Sequence, residues 1–252
     1  MAKENVETLE KGNIYFFYRP KIDVGENISG VDDIQNFYFV LGPKAEKNAR
    51  LMIIGKESLP GFSKNEKSWG FVKRSSTKKQ ISEELGSFSY ETKTRGKREN
   101  PVARPCGEGV YQIVSHGDHT HLIYALELPE EPDKVQKALK IREEGNYIVS
   151  VKNPEKGQPA NAGLSKDQKA DFPKKLHGLF EDKRFVPVDP PDFLNYDHAE
   201  IMFIGIDKDV KKELGIELNP EKETENKADI FKDLNIDKQE HPAGPLFEGE
   251  WT

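Results

Sequence analysis

The chain has 252 residues, a net charge of −6, 35% hydrophobic and 33% charged residues, and a mean hydropathy of −0.76. Fourteen Phe, eight Tyr and two Trp supply bulky core side chains, which excludes disorder throughout. No apolar segment approaches the roughly 20 residues that cross a bilayer, which excludes a helical membrane protein.

The amino end, MAKENVETLEKGN, lacks the apolar core of a signal peptide. We therefore expect a soluble, cytoplasmic protein with no membrane partner. The single cysteine, Cys106, excludes an internal disulfide and a Cys-based zinc ribbon, and it fits a reducing compartment.

Charge is unevenly distributed along the chain. Residues 1–110 carry 19 Lys and Arg against 15 Asp and Glu, whereas residues 207–252 carry 7 against 13. The carboxyl-terminal segment alone accounts for the acidity, so the overall sign does not exclude a local anion-binding patch.

Aromatic and β-branched segments predict strands in the first half at 14–19, 36–42 and 49–55. Successive side chains of the first strand are aromatic on both faces, which indicates that both faces are covered. Thr77 and Gln80 have the spacing of a helix capping box, and Gly86 is placed to end that short helix.

The second half also alternates short strands with short helices. Strands are predicted at 109–115, 121–128, 146–152 and 199–205, and a helix begins at Pro132. A capping box from Ser165 to Gln168 predicts a further helix, broken by Pro173. The proline-dense segment 186–193 predicts a linker that is neither helix nor central strand.

These elements predict an α+β fold with a largely antiparallel sheet body and short helices, because few connections are long enough for parallel crossovers. Residues 1–206 form the expected body, with possible similar halves at 12–104 and 105–206. The segments ARLMIIGK and AEIMFIGI share their spacing, which makes a duplication conceivable. Residues 207–252 are a charged appendage whose end, with Leu246, Phe247 and Trp251, can dock on the body or on a second subunit.

The stretch SHGDHTHLIYALELP, at 115–129, carries three of the six histidines. Residues two apart on a strand share a face, so His119 and His121 could both ligate one metal ion. His116, Asp118, or the pair Asp197 and His198 could supply a third ligand. The alternative is a polar turn with the histidines on a solvent-facing strand, which short histidine clusters more often form.

A basic segment, YETKTRGKRENPVARPCGEG at 90–109, is the second candidate site. Arginine offers a bidentate fork for phosphate oxygens and lysine a mobile point charge, while no Walker loop or dinucleotide fingerprint is present. The alternative is a solvated basic loop or arginines paired with acids of the chain. The predicted ligand-binding residues are Lys93, Arg95, Lys97, Arg98 and Arg104.

Cys106 lies close to Arg104, which could lower the pKa of its thiol, but no nucleophile signature surrounds it. We interpret it as an ordinary free cysteine rather than a nucleophile.

The strings GNIYFFYRPK, ETKTRG, VKNPEKG and PLFEGEW together resemble an uncharacterised family of bacterial, archaeal and fungal proteins. The resemblance implies that residues 12–206 form one unit. It implies no catalytic residue and no activity.

Three hypotheses follow from these patterns. The first is a cytoplasmic protein that binds a phosphate-bearing ligand, a nucleotide or nucleic acid, through the basic segment. The second is a hydrolase with a divalent metal cofactor held by His119 and His121. The third is a scaffold that forms homo-oligomers or binds partners through its acidic carboxyl-terminal segment.

Overall fold

The computed structural model describes residues 6–22, 24, 28–55, 58–63, 66–92, 96–157, 164, 168–206, 210–221, 223–225 and 227–252, and of Thr92 only the backbone. The strands are β1 (Val6–Pro20), β2 (Ile34–Pro43), β3 (Asn48–Ile54), β4 (Lys67–Thr77), β5 (Phe88–Thr92), β6 (Gly96–Asn100), β7 (Arg104–His116), β8 (His119–Leu128), β9 (Glu144–Lys152), β10 (Phe185–Pro187) and β11 (Glu200–Gly205). The α-helices are α1 (Lys78–Leu85), α2 (Lys134–Leu139), α3 (Lys174–Leu179), α4 (Val210–Leu214), α5 (Asp229–Leu234) and α6 (Gly244–Phe247), and two 3₁₀ turns span Val31–Asp33 and Pro191–Asn195.

Eight antiparallel strands close into a barrel in the order β9-β11-β4-β3-β2-β1-β7-β8, and β8 pairs back with β9. The expectation of an α+β fold with a sheet body is therefore wrong: the protein is mostly β. The described helices are short, the longest having eight residues, so they do not form a layer of their own. Closure removes the exposed sheet edges that an open sheet would leave.

The barrel consists of two four-stranded meanders, β1 to β4 and β7-β8-β9-β11, joined where β1 pairs with β7 and β4 with β11. The matching segments ARLMIIG and AEIMFIG do not occupy equivalent places in these meanders. The first is the third strand of its meander, whereas the second is the fourth. The two segments therefore do not mark equivalent strands, and the suggested duplication stays a prediction.

Alternate side chains of the strands fill the barrel, as the period of two requires. Phe16 of β1 packs against Phe39 and Tyr124, with ring centroids 6.2 and 5.1 Å away. Tyr15 and Phe17, on the other face of β1, are fully buried beneath the surrounding helices. The prediction that both faces of this strand are covered is confirmed.

The segment after residue 209 packs against the outside of the barrel. Val210 and Leu214 of α4 cover Val114 and Ile123. Further along, α5 and α6 form a second apolar cluster with the outer faces of β1, β2 and β3. Near the end of the chain, the Trp251 ring lies edge-on to Tyr18, with 5.2 Å between centroids.

Local helix signals have mixed outcomes. The Thr77 side chain accepts a hydrogen bond from the backbone N–H of Gln80 at the start of α1, and Gly86 follows the last helical residue, as predicted. A helix follows Pro132, capped by Asp133. Ser165 lies outside the described residues, and Pro173 precedes α3 instead of breaking it. The proline-dense segment contributes the short strand β10 and a 3₁₀ turn.

Within the described residues, no helix combines the length and the apolar composition needed to cross a bilayer.

Candidate functional site

Strands β5 and β6 form a two-stranded sheet that is separate from the barrel. The hairpin pairs Phe88 with Asn100, Tyr90 with Arg98, and Glu91 with Lys97. Except for Asn100, its described side chains are at least partly exposed. Solvent thus reaches both faces of this hairpin, unlike the strands of the barrel wall.

One face of the hairpin combines two aromatic rings with a guanidinium group. Since side chains alternate across a strand, Phe88 and Tyr90 share a face, and Arg98 opposite Tyr90 lies on it too. The centroids of the Phe88 and Tyr90 rings are 6.3 Å apart. Phe88 is 48% exposed to solvent, which is unusual for a large apolar side chain. We call Phe88, Tyr90 and Arg98 the aromatic face.

The buried Arg19 holds both ends of the hairpin. Its Nη1 donates to the carbonyls of Gly86, at 3.0 Å, and Pro101, and its Nη2 donates to the carbonyl of Glu84 at 2.8 Å. The guanidinium carbon also lies 6.0 Å from the ring centroid of Tyr38 and 5.4 Å from that of Phe88. A side chain of the barrel wall therefore fixes the base from which the aromatic face extends.

Of the five predicted phosphate-binding residues, the three that the structure describes do not form one cluster. Lys97 and Arg98 lie in the hairpin, on opposite faces because they are neighbours in β6. Lys93 and Arg95 lie outside the described residues. Arg104 is only 6% exposed and pairs with Tyr18 in the barrel wall, so it does not belong to the hairpin surface.

The histidine stretch forms the tight turn between β7 and β8. His121 is 2% exposed, beneath α4, and its Nδ1 lies 2.8 Å from Oδ1 of Asn146, whose Nδ2 donates to Glu213. The ring centroid of His116 is 5.8 Å from that of His121. His119 is exposed, with Nε2 3.3 Å from a carboxylate oxygen of Asp118.

Burial lowers the pKa of His121, which favours the neutral imidazole. Asn146 occupies the Nδ1 nitrogen of His121, and the assignment of His119 and His121 as metal ligands stays a prediction. The last two predicted ligands, Asp197 and His198, are neighbours in the connection before β11. Oδ1 of Asp197 accepts from the backbone N–H of Ser75 at 2.7 Å, and the backbone N–H of His198 donates to the carbonyl of Val72 at 2.7 Å.

Cys106 is a free, fully buried cysteine in the barrel core. Burial raises the pKa of its thiol, which disfavours the reactive thiolate. These surroundings agree with its interpretation as an ordinary core residue.

Three carboxylates converge where the carboxyl-terminal segment meets the barrel. They belong to Glu108, Glu223 and Asp229, and one oxygen of each lies within 4.8 Å of one oxygen of the other two. Among the described residues, this is the group of three side chains close enough to share a metal ion. Both oxygens of the buried Glu108 already accept backbone N–H groups, from Asp229 at 2.7 Å and Ile230 at 3.2 Å. Desolvation raises the pKa of Glu108 to about 8. This arrangement attaches α5 to the barrel.

Phe88 and Tyr90 are the members of the aromatic face that the sequence analysis missed. The alternation of aromatic and small residues in SFSYET is the signal that could have identified them, since it is typical of a strand with one aromatic face.

Comparison of the chain with protein-family models, with curated proteins and with solved structures finds no match.

Proposed function

We propose that the protein binds single-stranded nucleic acid through the β5–β6 hairpin. The observation that supports this proposal is the aromatic face, in which the exposed Phe88 ring, the Tyr90 ring and the Arg98 side chain lie together on a hairpin fixed at its base. Exposed aromatic rings beside cationic groups are the usual means by which proteins bind single strands with little sequence preference.

The chemistry favours a single strand over a duplex. Bases stack on aromatic side chains only when their flat faces are accessible, and base pairing in a duplex conceals those faces. The backbone phosphates of the same strand would contact Arg98, which lies on the aromatic face, whereas Lys97 lies on the opposite face. Residues 87–100 carry four Lys and Arg against two Glu, so the hairpin is basic although the whole chain is acidic.

The test is fluorescence anisotropy with labelled oligonucleotides of about 15 nucleotides, with either ribose or deoxyribose backbones. Phe88→Ala should lower the affinity roughly tenfold or more, because stacking contributes about 1 to 3 kcal/mol per base. Arg98→Ala should lower the affinity and reduce the dependence of log Kd on log salt concentration by about 0.7 for the lost phosphate contact. Lys175→Ala, an exposed lysine in α3, is the matched control and should bind like the wild type.

The proposal fails if Phe88→Ala and Arg98→Ala bind as the wild type does. It also fails if a duplex of the same sequence binds as tightly as the single strand, since stacking would then play no part. All variants should retain the far-ultraviolet circular dichroism spectrum of the wild type, because the changed side chains are outside the barrel.

We also propose that the protein acts in the cytoplasm, where nucleic acid is accessible and a reduced cysteine such as Cys106 is the normal state.

A further inference from the structure

A groove of about 620 Å³ lies at one end of the barrel, where β1 extends beyond its neighbour β2. Gly12 of β1 pairs with Pro43, the last residue of β2, and the residues of β1 before Gly12 pair with β7 and not with β2. The lining comes from this part of β1, from the connection between β2 and β3, and from the start of the 3₁₀ turn Pro191–Asn195. The volume lies within the range of small-molecule sites, about 300 to 1,000 Å³, and barrel ends are a common place for such sites.

Two lysines line the groove from neighbouring segments. The backbone N–H of Lys44 donates to the carbonyl of Lys11 at 3.0 Å, so the two residues lie side by side where β1 and β2 separate. Both residues are exposed, and among the residues that the structure describes no carboxylate forms an ion pair with either of them. Their ammonium groups are therefore available to an anionic group of a ligand.

The two glutamates of the lining are engaged by a buried arginine. Nη1 of Arg50 lies 2.7 Å from Oε1 of Glu10, and Nη2 of Arg50 lies 2.9 Å from Oε1 of Glu46. The side chain of Arg50 is completely buried, and the hydroxyl of Tyr111 donates a further hydrogen bond to Glu10 at 2.7 Å. These contacts account for both glutamates within the fold, so the lysines are left for an external anion.

Asp192 supplies the opposite charge in the same groove. It is the second residue of the 3₁₀ turn Pro191–Asn195 and is exposed. Within the described part of the chain, its carboxylate has neither an ion-pair nor a hydrogen-bond partner. The turn itself is fixed, because Phe193 and Leu194 are buried in the barrel core. A charged group on a fixed turn can thus meet a cationic group of a ligand.

Apolar side chains complete the lining. Leu9, Pro43 and Pro191 contribute apolar surface, and Leu9 packs against the barrel core. An exposed ion pair contributes only about a factor of five or less to affinity, because water and salt screen it. A ligand that binds here must therefore combine charged ends with an apolar part.

We propose that this groove binds a small zwitterion, an amino acid or a short peptide. The carboxylate of the ligand contacts Lys11 and Lys44, its ammonium group contacts Asp192, and its apolar side chains lie against Leu9 and the prolines of the lining. A ligand with charge of only one sign would leave either the lysines or Asp192 without a partner. The site is independent of the hairpin, since none of the residues of the aromatic face lines the groove.

The experiment is isothermal titration calorimetry of the full chain with leucine, dileucine and trileucine at low ionic strength, where exposed charges are least screened. Each probe is compared with its N-acetylated form, which lacks the ammonium group, and with its C-amidated form, which lacks the carboxylate. We expect at least one probe with free ends to bind more tightly than both of its blocked forms. Tightest binding of leucine identifies a free amino acid as the ligand, whereas tightest binding of a longer probe identifies a peptide.

Substitutions on the two sides of the groove should have crossed effects. The double variant Lys11→Gln, Lys44→Gln should weaken the free and acetylated probes about five- to twentyfold and leave the amidated probe unchanged. Asp192→Asn should weaken the free and amidated probes about two- to fivefold and leave the acetylated probe unchanged. A merely structural role of these residues would change all three forms alike.

Lys47→Gln is the matched control. Lys47 is exposed in the same connection between β2 and β3 but does not line the groove, so its variant should bind every probe like the wild type. All the changed side chains are exposed, so the variants should keep the far-ultraviolet circular dichroism spectrum of the wild type.

The proposal is overturned if no probe with free ends binds at millimolar concentration, or if the blocked forms bind as tightly as the free ones. It is also overturned if the double lysine variant and Asp192→Asn keep wild-type affinities for the free probe. A loss in Lys47→Gln equal to that of the groove variants would overturn it too, since net charge rather than the groove would then determine binding.

Discussion

The guanidinium carbon of the buried Arg19 lies 5.4 Å from the centroid of the exposed Phe88 ring. The same guanidinium donates to carbonyls that precede and follow the hairpin, those of Gly86 and Pro101. One side chain of the barrel wall thus contacts both the base of the hairpin and the aromatic face.

Replacing Arg19 by Met should release the hairpin. The partly buried carbonyls of Glu84, Gly86 and Pro101 would lose their donor, and the loss of hydrogen bonds from a charged group should cost roughly 3 kcal/mol of unfolding free energy. Urea denaturation measures this cost, and hydrogen exchange should be faster at the amides of 88–100. Arg19→Lys keeps the charge but not the fork and should give an intermediate loss. Unchanged hairpin exchange in Arg19→Met would contradict this role.

Glu108 should make the stability of the protein fall as pH rises. Desolvation raises its pKa from 4.5 to about 8, so the folded chain retains a proton that the unfolded chain has lost. Its stabilising effect is therefore complete below about pH 4.5 and is lost as pH rises through about 8.

Glu108→Gln imitates the protonated form and should remove this part of the pH dependence. The difference in unfolding free energy between wild type and variant should change by at most about 4 kcal/mol between pH 5 and 8, since one proton contributes about 1.4 kcal/mol per pH unit. Denaturant titrations at several pH values measure it. The neighbouring carboxylates Glu223 and Asp229 also raise the pKa of Glu108. Because both are present in wild type and variant, their own titration largely cancels in the difference between the two unfolding free energies. Parallel pH profiles for the two proteins would refute the prediction.

Gly145 in β9 should not tolerate a side chain. A Cβ there would come within 2.2 Å of Cε1 of Tyr124, a ring that is buried against Phe16 and Tyr147 and cannot move away. Gly145→Ala should therefore cost about 1 to 3 kcal/mol, the usual cost of overpacking a core.

Gly178→Ala is the matched control for that substitution. Gly178 lies in α3 with no atom within 4 Å of a built Cβ, so alanine should stabilise the protein by about 0.5 to 1 kcal/mol through helix propensity. Thermal unfolding of both variants gives the comparison. A neutral effect of Gly145→Ala would show that the Tyr124 ring can be displaced.

Cys106 should not react with a thiol reagent in the folded protein. The side chain is fully buried, so a reagent cannot reach the sulfur. Burial also raises the pKa of the thiol, so the reactive thiolate is disfavoured. Labelling with a chromogenic disulfide at pH 8 should be complete only after denaturant is added. Fast labelling without denaturant would show that the barrel opens around this residue on the time scale of the assay.

Much of the local structure could be predicted from the sequence. The bounds of the strands predicted at 36–42 and 49–55 lie within two residues of those of β2 and β3, because the aromatic and β-branched side chains of these segments match a buried pleated surface. The prediction at 14–19 covers less than half of β1, because VETLEKG has no strand composition and is extended through its pairing with β7. The strand β4 was not assigned, since its second half, KRSST, is polar.

The sequence also identified part of the candidate site and misplaced another part. Lys97 and Arg98 lie in an exposed hairpin, whereas Arg104, only six residues further on, is buried in the wall of the barrel. The two cations are close in the sequence but lie apart in space, because β6 ends at Asn100 and the barrel strand β7 begins at Arg104. Conversely, the support that Arg19 provides to Phe88 joins residues 69 positions apart in the chain.

By itself, the sequence determined most strands of the barrel, the cap of α1, the single cysteine and the acidity of the carboxyl-terminal segment, since each of these depends on composition or on contacts between near neighbours. The tertiary structure alone decided that the strands close into a barrel, that α5 is attached through Glu108, and that two lysines and Asp192 line one groove. The physical reason is that strand pairing and burial depend on contacts between segments far apart in the chain. The alternation of side chains shows that one face of a strand will be buried, but it does not show which other segment buries it.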